Sequence, residues 1–201
     1  TTLEFIVDAQ PIANPVAPQI VCDGAAGDID DDGLYAFDTS NFSSTILDGQ
    51  SGMEIYFDYI DENGNPVTDS TSLPNPLVSG SQIISVEVIN PINTVCFAAT
   101  DIELVVNPLP DFTVETPRIV CSSDPTFSII LDPQEANIIE SFDYEWLWTS
   151  LDGSTSNEFI SNNSEITVSN PGTYTVTLTK TDGTGCSSSR DIFVDASELA
   201  N

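Results

Sequence analysis

The chain has 201 residues, with 13 prolines, 11 glycines and 40% apolar residues, a composition that fits one or two folded domains. Its 32 Asp and Glu against 3 Lys and Arg leave a net charge of −29, which excludes nucleic acid and anionic lipid surfaces, both bound through basic side chains. Histidine is absent, so imidazole-based catalysis and His-ligated zinc cannot be built, and no enzyme is expected.

The chain opens on Thr2 to Asp8, whose Leu3-Glu4-Phe5-Ile6-Val7 is repeated 99 residues later as Ile102-Glu103-Leu104-Val105-Val106. At the same offset Pro11 falls on Pro110 and Ile20-Val21-Cys22 falls on Ile119-Val120-Cys121. Cys96 and Cys186 are each followed five residues later by Asp-Ile, giving a third copy of the terminal strand at Asp191 to Asp195. The spacing predicts a tandem array cut from something longer. Residues 1–11 are the closing strand of a preceding repeat or the first strand of this one, and repeats follow at 12–108 and 109–201. Proline-spaced junctions at Pro11 to Pro15 and Pro108 to Pro110 would restrict the angle between neighbours.

After Cys22 comes an acidic stretch in which Asp28, Asp30, Asp32 and Gly33 spell D-x-D-x-D-G. Alternate carboxylates of a tight loop can converge on a calcium ion, with Leu34 supplying its carbonyl. Thr39 stands where an EF-hand loop ends in glutamate, so Asp38 is the candidate to close the shell. The competing reading is a solvated loop in a chain acidic throughout, and magnesium is a further alternative. Asn41-Phe42-Ser43 and Asn162-Asn163-Ser164 fit the N-glycosylation pattern.

Period-2 alternation then predicts half-buried strands at Ile55, Phe57 and Tyr59 and at Ile84, Val86 and Val88, separated by the Glu62 to Pro66 turn. In the second repeat Phe142, Tyr144, Trp146 and Trp148 share one strand face, and Tyr174, Val176 and Leu178 another. That aromatic face is read as core, with Trp146 and Trp148 as the alternative candidates for a sugar-stacking platform. Gly172-Thr173-Tyr174 matches the strand start at which immunoglobulin-like domains fix a tyrosine corner. Pro133 to Ser141 is the one candidate for a short helical turn. The fold expected is all-β, two tandem antiparallel β-sandwich domains of immunoglobulin-like type.

Cys22 and Cys96 in the first repeat and Cys121 and Cys186 in the second predict one disulfide within each, out of three formally possible connectivities and against the alternatives of reduced thiols or, less readily, zinc. Such bridges belong to an oxidising, extracellular setting.

The run from Cys22 through Tyr35-Ala36-Phe37-Asp38, Leu73-Pro74-Asn75-Pro76, Ile84 to Val88 and Asp101 to Pro110 resembles the roughly 100-residue repeats of giant surface proteins of Bacteroidota. The second repeat, with its Tyr-x-Trp strand and Pro171 to Thr177 stretch, looks like the PKD-like and immunoglobulin-like modules of the same proteins. The resemblance implies type IX secretion, display on the bacterial cell surface and kinship with SprB-type gliding-motility adhesins. The expected role is structural or adhesive, a rigid stalk stabilised by disulfides and calcium, with neighbouring repeats of the same chain as partners. The alternative is a module that binds surface polysaccharide or another glycan.

Overall fold

A computed structural model describes residues 9–24, 32–121, 126–137 and 139–197. The chain divides into two compact units, residues 1–108 and 109–201.

In the first unit the strands are β1 (Gln19–Cys22), β2 (Tyr35–Phe37), β3 (Glu54–Ile60), β4 (Pro66–Ser70), β5 (Leu77–Ser79), β6 (Gln82–Ile89) and β7 (Phe97–Asn107). Five of them form a sheet in the order β1-β7-β6-β3-β4, and β2 pairs with β5. The alternation read from the sequence is the burial pattern observed. Phe57, Ile84, Val86, Val88, Ile102 and Leu104 turn inward from the large sheet to meet Phe37 and Leu77 of the β2–β5 pair. A short helix, α1 (Phe42–Leu47), joins β2 to β3. It exists because Phe42 and Ile46, four residues apart on one helix face, both reach this core, and it stops where Asp48 adopts a left-handed conformation.

The second unit repeats the plan with β8 (Phe112–Thr113), β9 (Arg118–Cys121), β10 (Ile129–Leu131), β11 (Gln134–Glu135), β12 (Phe142–Ser150), β13 (Glu158–Ser161), β14 (Ile166–Val168), β15 (Gly172–Lys180) and β16 (Ser187–Ser197). Its five-stranded sheet runs β13-β12-β15-β16-β9, and β10–β14 and β11–β8 form two-stranded pairs. Trp146, Val176, Leu178, Ile192 and Val194 face Leu131, Ile166 and Val168 across the sandwich. The Tyr174 hydroxyl donates to the Asn170 carbonyl at 2.9 Å, the tyrosine corner that the sequence suggests.

Both units are immunoglobulin-like β-sandwiches, and both depart from a purely antiparallel plan. β1 pairs parallel with β7, and β9 pairs parallel with β16, because in each unit an early strand, β1 or β9, joins the edge of the large sheet beside the last. Among the described residues of Pro133 to Ser141 there is no helix, only a turn in which Glu140 N donates to the Asn137 carbonyl. The start of that stretch is taken by β11, which pairs with β8, and the short helix lies instead at Phe42–Leu47.

Candidate functional site

The cysteines follow directly from strand register. Cys22, at the end of β1, lies opposite Asn107 at the far end of β7, whereas Cys96 immediately precedes the start of that strand. Eleven residues of extended strand separate the two levels, about 36 Å at a rise of about 3.3 Å per residue. A disulfide tolerates Cα atoms only about 4.4–6.8 Å apart. The second unit reproduces the arrangement, with Cys121 opposite Ser197 and Cys186 just ahead of Ser187. The expected intradomain bridges Cys22–Cys96 and Cys121–Cys186 are therefore not formed. Cys22 and Cys186 are disulfide-bonded, and Cys96 carries a free thiol. Sequence reading placed all four residues at strand ends correctly but could not see that each unit's pair sits at opposite ends of one strand.

The acidic stretch behaves differently at its two ends. Asp28 and Asp30 lie outside the described residues. Asp32 is exposed, and its Oδ1 accepts a hydrogen bond from Leu34 N at 2.9 Å. Asp38 follows β2, its Oδ1 accepts from Ser40 N at 2.9 Å, and hydrogen bonds from the Ser40 side chain and then its backbone, with a lesser one from Asn75, hold its carboxyl below the usual range. A buried carboxylate lies outside the motif: Asp23, just after β1, is 2% exposed and accepts a hydrogen bond at Oδ2 from Gly33 N at 2.9 Å, while its Oδ1 has no partner among the described residues. Gly33 meets it at φ +74°, a conformation that favours glycine. Among the described residues no three Asp, Glu or Cys side chains gather as a ready metal cluster. The second acidic turn is self-contained: Asp61 Oδ1 accepts from Asn63 N and Asn65 N at 2.9 and 2.8 Å, which lowers its pKa.

The aromatic face is core and presents no open platform. Trp146 is fully buried, and its Nε1–H donates to the Asn163 carbonyl at 2.8 Å. Trp148 packs on the same cluster beside Tyr174, with ring centroids 6.4 Å apart, and its Nε1 is buried against Gly172. Trp146 therefore has no ring face open to solvent for sugar stacking, whereas Trp148 is half-buried.

With this geometry in hand, known proteins add the following. Residues 18–110 match the family described as the Flavobacterium inter-domain disulphide bond domain. The match spans the first unit from before β1 to beyond β7 and points to an origin among the Bacteroidota. No curated protein matches the chain. Among solved structures it is similar to the N-terminal Ig1-2 module of the Drosophila receptor protein tyrosine phosphatase DLAR, with 8% identity over 93% of this chain and 96% of that one and a TM-score of 0.33. The N-terminal four Ig domains of Dscam1 isoform 8.4 are matched at 9% identity over 98% of this chain and 46% of that one, with a TM-score of 0.30. Human CDH23 EC21-23 is matched at 14% identity over 75% and 64%, with a TM-score of 0.25. These likenesses are distant, and the immunoglobulin-like assignment rests on the strand order above. Among the described residues no helix is long and apolar enough to cross a membrane.

Proposed function

We propose that this chain is a structural segment of an extracellular bacterial protein, a pair of tandem modules whose repeats are stapled to one another by a disulfide between Cys22 and Cys186. The observation that carries the reading is the cysteine state. Cys22 and Cys186 are bonded while Cys96 is not, in a chain whose first unit matches a family described by an inter-domain bridge. A covalent link between repeats limits their independent motion, and it suits an oxidising compartment outside the cell. The charge of −29 suits the same role, since mutual repulsion keeps neighbouring fibres soluble and apart. Neighbouring repeats of the same chain are then the first partners, and the whole would serve a surface adhesin of the type IX secreted, gliding-motility kind as its stalk. No active-site chemistry is needed for this role.

The test is direct. Proteolysis of the unreduced chain should release a peptide pair cross-linked through Cys22 and Cys186, and Cys96 should be alkylated in the denatured, unreduced chain. A cross-link within either unit, or four free thiols, overturns the reading. Cys186→Ser should lower the denaturation midpoint of the unreduced protein and leave that of the reduced protein unchanged.

A further inference from the structure

Cys96 stands in the first unit where Cys186 stands in the second. Each immediately precedes the closing strand of its unit, β7 or β16. Each accepts a backbone hydrogen bond at its carbonyl, from Asn90 N at 3.1 Å and from Lys180 N at 2.9 Å. Their states differ. Cys186 is disulfide-bonded and 1% exposed, whereas Cys96 is a half-buried free thiol. The loop around Cys96 is also the more apolar. Ile92, Val95 and Phe97 are 83%, 84% and 55% exposed, where the second unit has Asp182, Gly185 and Ser187. Large apolar side chains exposed together beside a thiol mark a surface that another protein covers.

The same loop receives the incoming chain. Asn90 is buried, donates from Nδ2 to the Ala9 carbonyl at 2.9 Å and accepts at Oδ1 from Ile92 N at 3.0 Å, which fixes Ala9 beside the loop. Whatever is joined ahead of Ala9 therefore arrives next to Cys96. The sequence Leu3 to Val7 repeats Ile102 to Val106 of β7, the strand that closes a unit; residues 1–8 lie outside the described residues and enter as sequence alone. Where β7 ends, at Asn107, Cys22 of the neighbouring edge strand lies opposite, and Asp23 N donates to the Asn107 carbonyl at 2.8 Å. A module of this kind thus carries a cysteine to the point where it hands the chain on.

We propose that Cys96 forms a disulfide with the edge-strand cysteine of a like module joined ahead of Ala9, so that each module bonds forward through its first cysteine and backward through its second. The inference rests on the Cys22–Cys186 staple and extends it to a further neighbour. Ile20 and Ile119, each two residues before an edge-strand cysteine, are exposed, and such an isoleucine on the incoming module is the apolar counterpart of Ile92, Val95 and Phe97. Bond formation takes one proton and one electron from each thiol. The electron pair passes by thiol–disulfide exchange to an external disulfide, which leaves as two thiols.

Peptide mapping of the unreduced full-length polypeptide tests this. Proteolysis should release the Cys96 peptide joined to one whose cysteine lies ahead of residue 1, and Cys96 should resist alkylation after denaturation, although it is alkylated in the 201-residue chain alone. A second arm supplies the module: a copy of residues 9–100 spliced ahead of Thr2, so that residues 2–8 take the place of 101–107. Its copy of Cys22 should bond to Cys96 and abolish alkylation there, and Cys22→Ser in the added copy alone should restore it. With the Cys22–Cys186 bond present, a free Cys96 in the full-length polypeptide, a Cys96–Cys121 bond or a Cys96 bond between two copies of the chain overturns the proposal. Absence of Cys22–Cys186 from the same digest shows instead that the staple itself has failed, and removes the proposal with it.

Discussion

The two units build one sandwich from different side chains. Opposite Val86 the first unit places Phe57, and at the matching register opposite Val176 the second places Trp146. Phenylalanine fills its site by volume alone, whereas the indole adds an N–H that the Asn163 carbonyl must receive. Opposite Ile102 stands Ile84, and opposite Ile192 stands Tyr174, whose hydroxyl reaches back to Asn170. Opposite Leu104 stands Gln82, whose amide exchanges two hydrogen bonds with the Ile60 backbone at 2.8 and 2.9 Å; opposite Val194 stands Gly172, which leaves room for Trp148. All three basic residues fall in the second unit. Shape and strand order are thus held constant while polar groups in the core and compensating charge are gathered into one repeat, so the two should respond differently to the same perturbation.

Both tryptophans lie in the second unit, so indole fluorescence reads that unit alone while circular dichroism reads both. Truncating the paired core aromatics has the largest expected effect: Trp146→Ala and Phe57→Ala should each cost about 3–5 kcal/mol in urea titrations. Phe57→Ala should leave the fluorescence midpoint in place; a joint shift would show that the units unfold as one. Next comes Gly172→Ala. A Cβ there would lie 2.4 Å from Trp148 Nε1 at a backbone φ of +150°, and a loss of about 1–3 kcal/mol is expected. Gln82→Ala at the matching position should cost about 1 kcal/mol, the worth of its hydrogen bonds.

Alkali should separate the units further. Burial pushes the Tyr174 hydroxyl up to about 12 from 10.0, and burial followed by the hydrogen bond to Glu135 does the same for Tyr144. A phenol whose folded pKa is raised stabilises fully below its unfolded value and loses that contribution as pH climbs towards the folded one. The fluorescence-detected midpoint should therefore fall between pH 10 and about 12, and Tyr174→Phe together with Tyr144→Phe should flatten that fall. At neutral pH Tyr174→Phe alone should cost about 1 kcal/mol through its lost corner bond. The smallest shifts are expected from Asp61→Ala and Asp152→Ala, which remove exposed side chains that organise equivalent hairpin turns. Hydrogen bonds hold the Asp61 carboxyl below its usual range and bring Asp152 to about 2, so what stability each gives is present above the ordinary carboxylate range and lost on acidification.

The period-2 runs around Phe57, Val86, Trp146 and Val176 made the strands legible, because a half-buried strand writes its two faces into alternate residues. Helix α1 left a fainter trace, Phe42 and Ile46 four apart amid serine and threonine, which a six-residue element cannot distinguish from a loop. Cysteine pairing was not legible, since proximity along a pattern says nothing of which end of an 11-residue strand each thiol occupies. The bond between Gly33 and Asp23 was not legible either, since the fold joins two residues ten positions apart.

The parallel edge pairing also has a mechanical meaning. Chain enters β1 at Gln19 and leaves β7 at Asn107, and the two strands run the same way, joined from Gln19–Leu104 to Cys22–Asn107. Tension applied to those two exits drags the strands past each other lengthwise, so the rungs of the ladder are loaded together in shear. An antiparallel pair pulled at adjacent ends would instead peel open rung by rung. The second unit has the same geometry from Arg118–Val194 to Cys121–Ser197, which makes each module a clasp that resists stretching along its own strands.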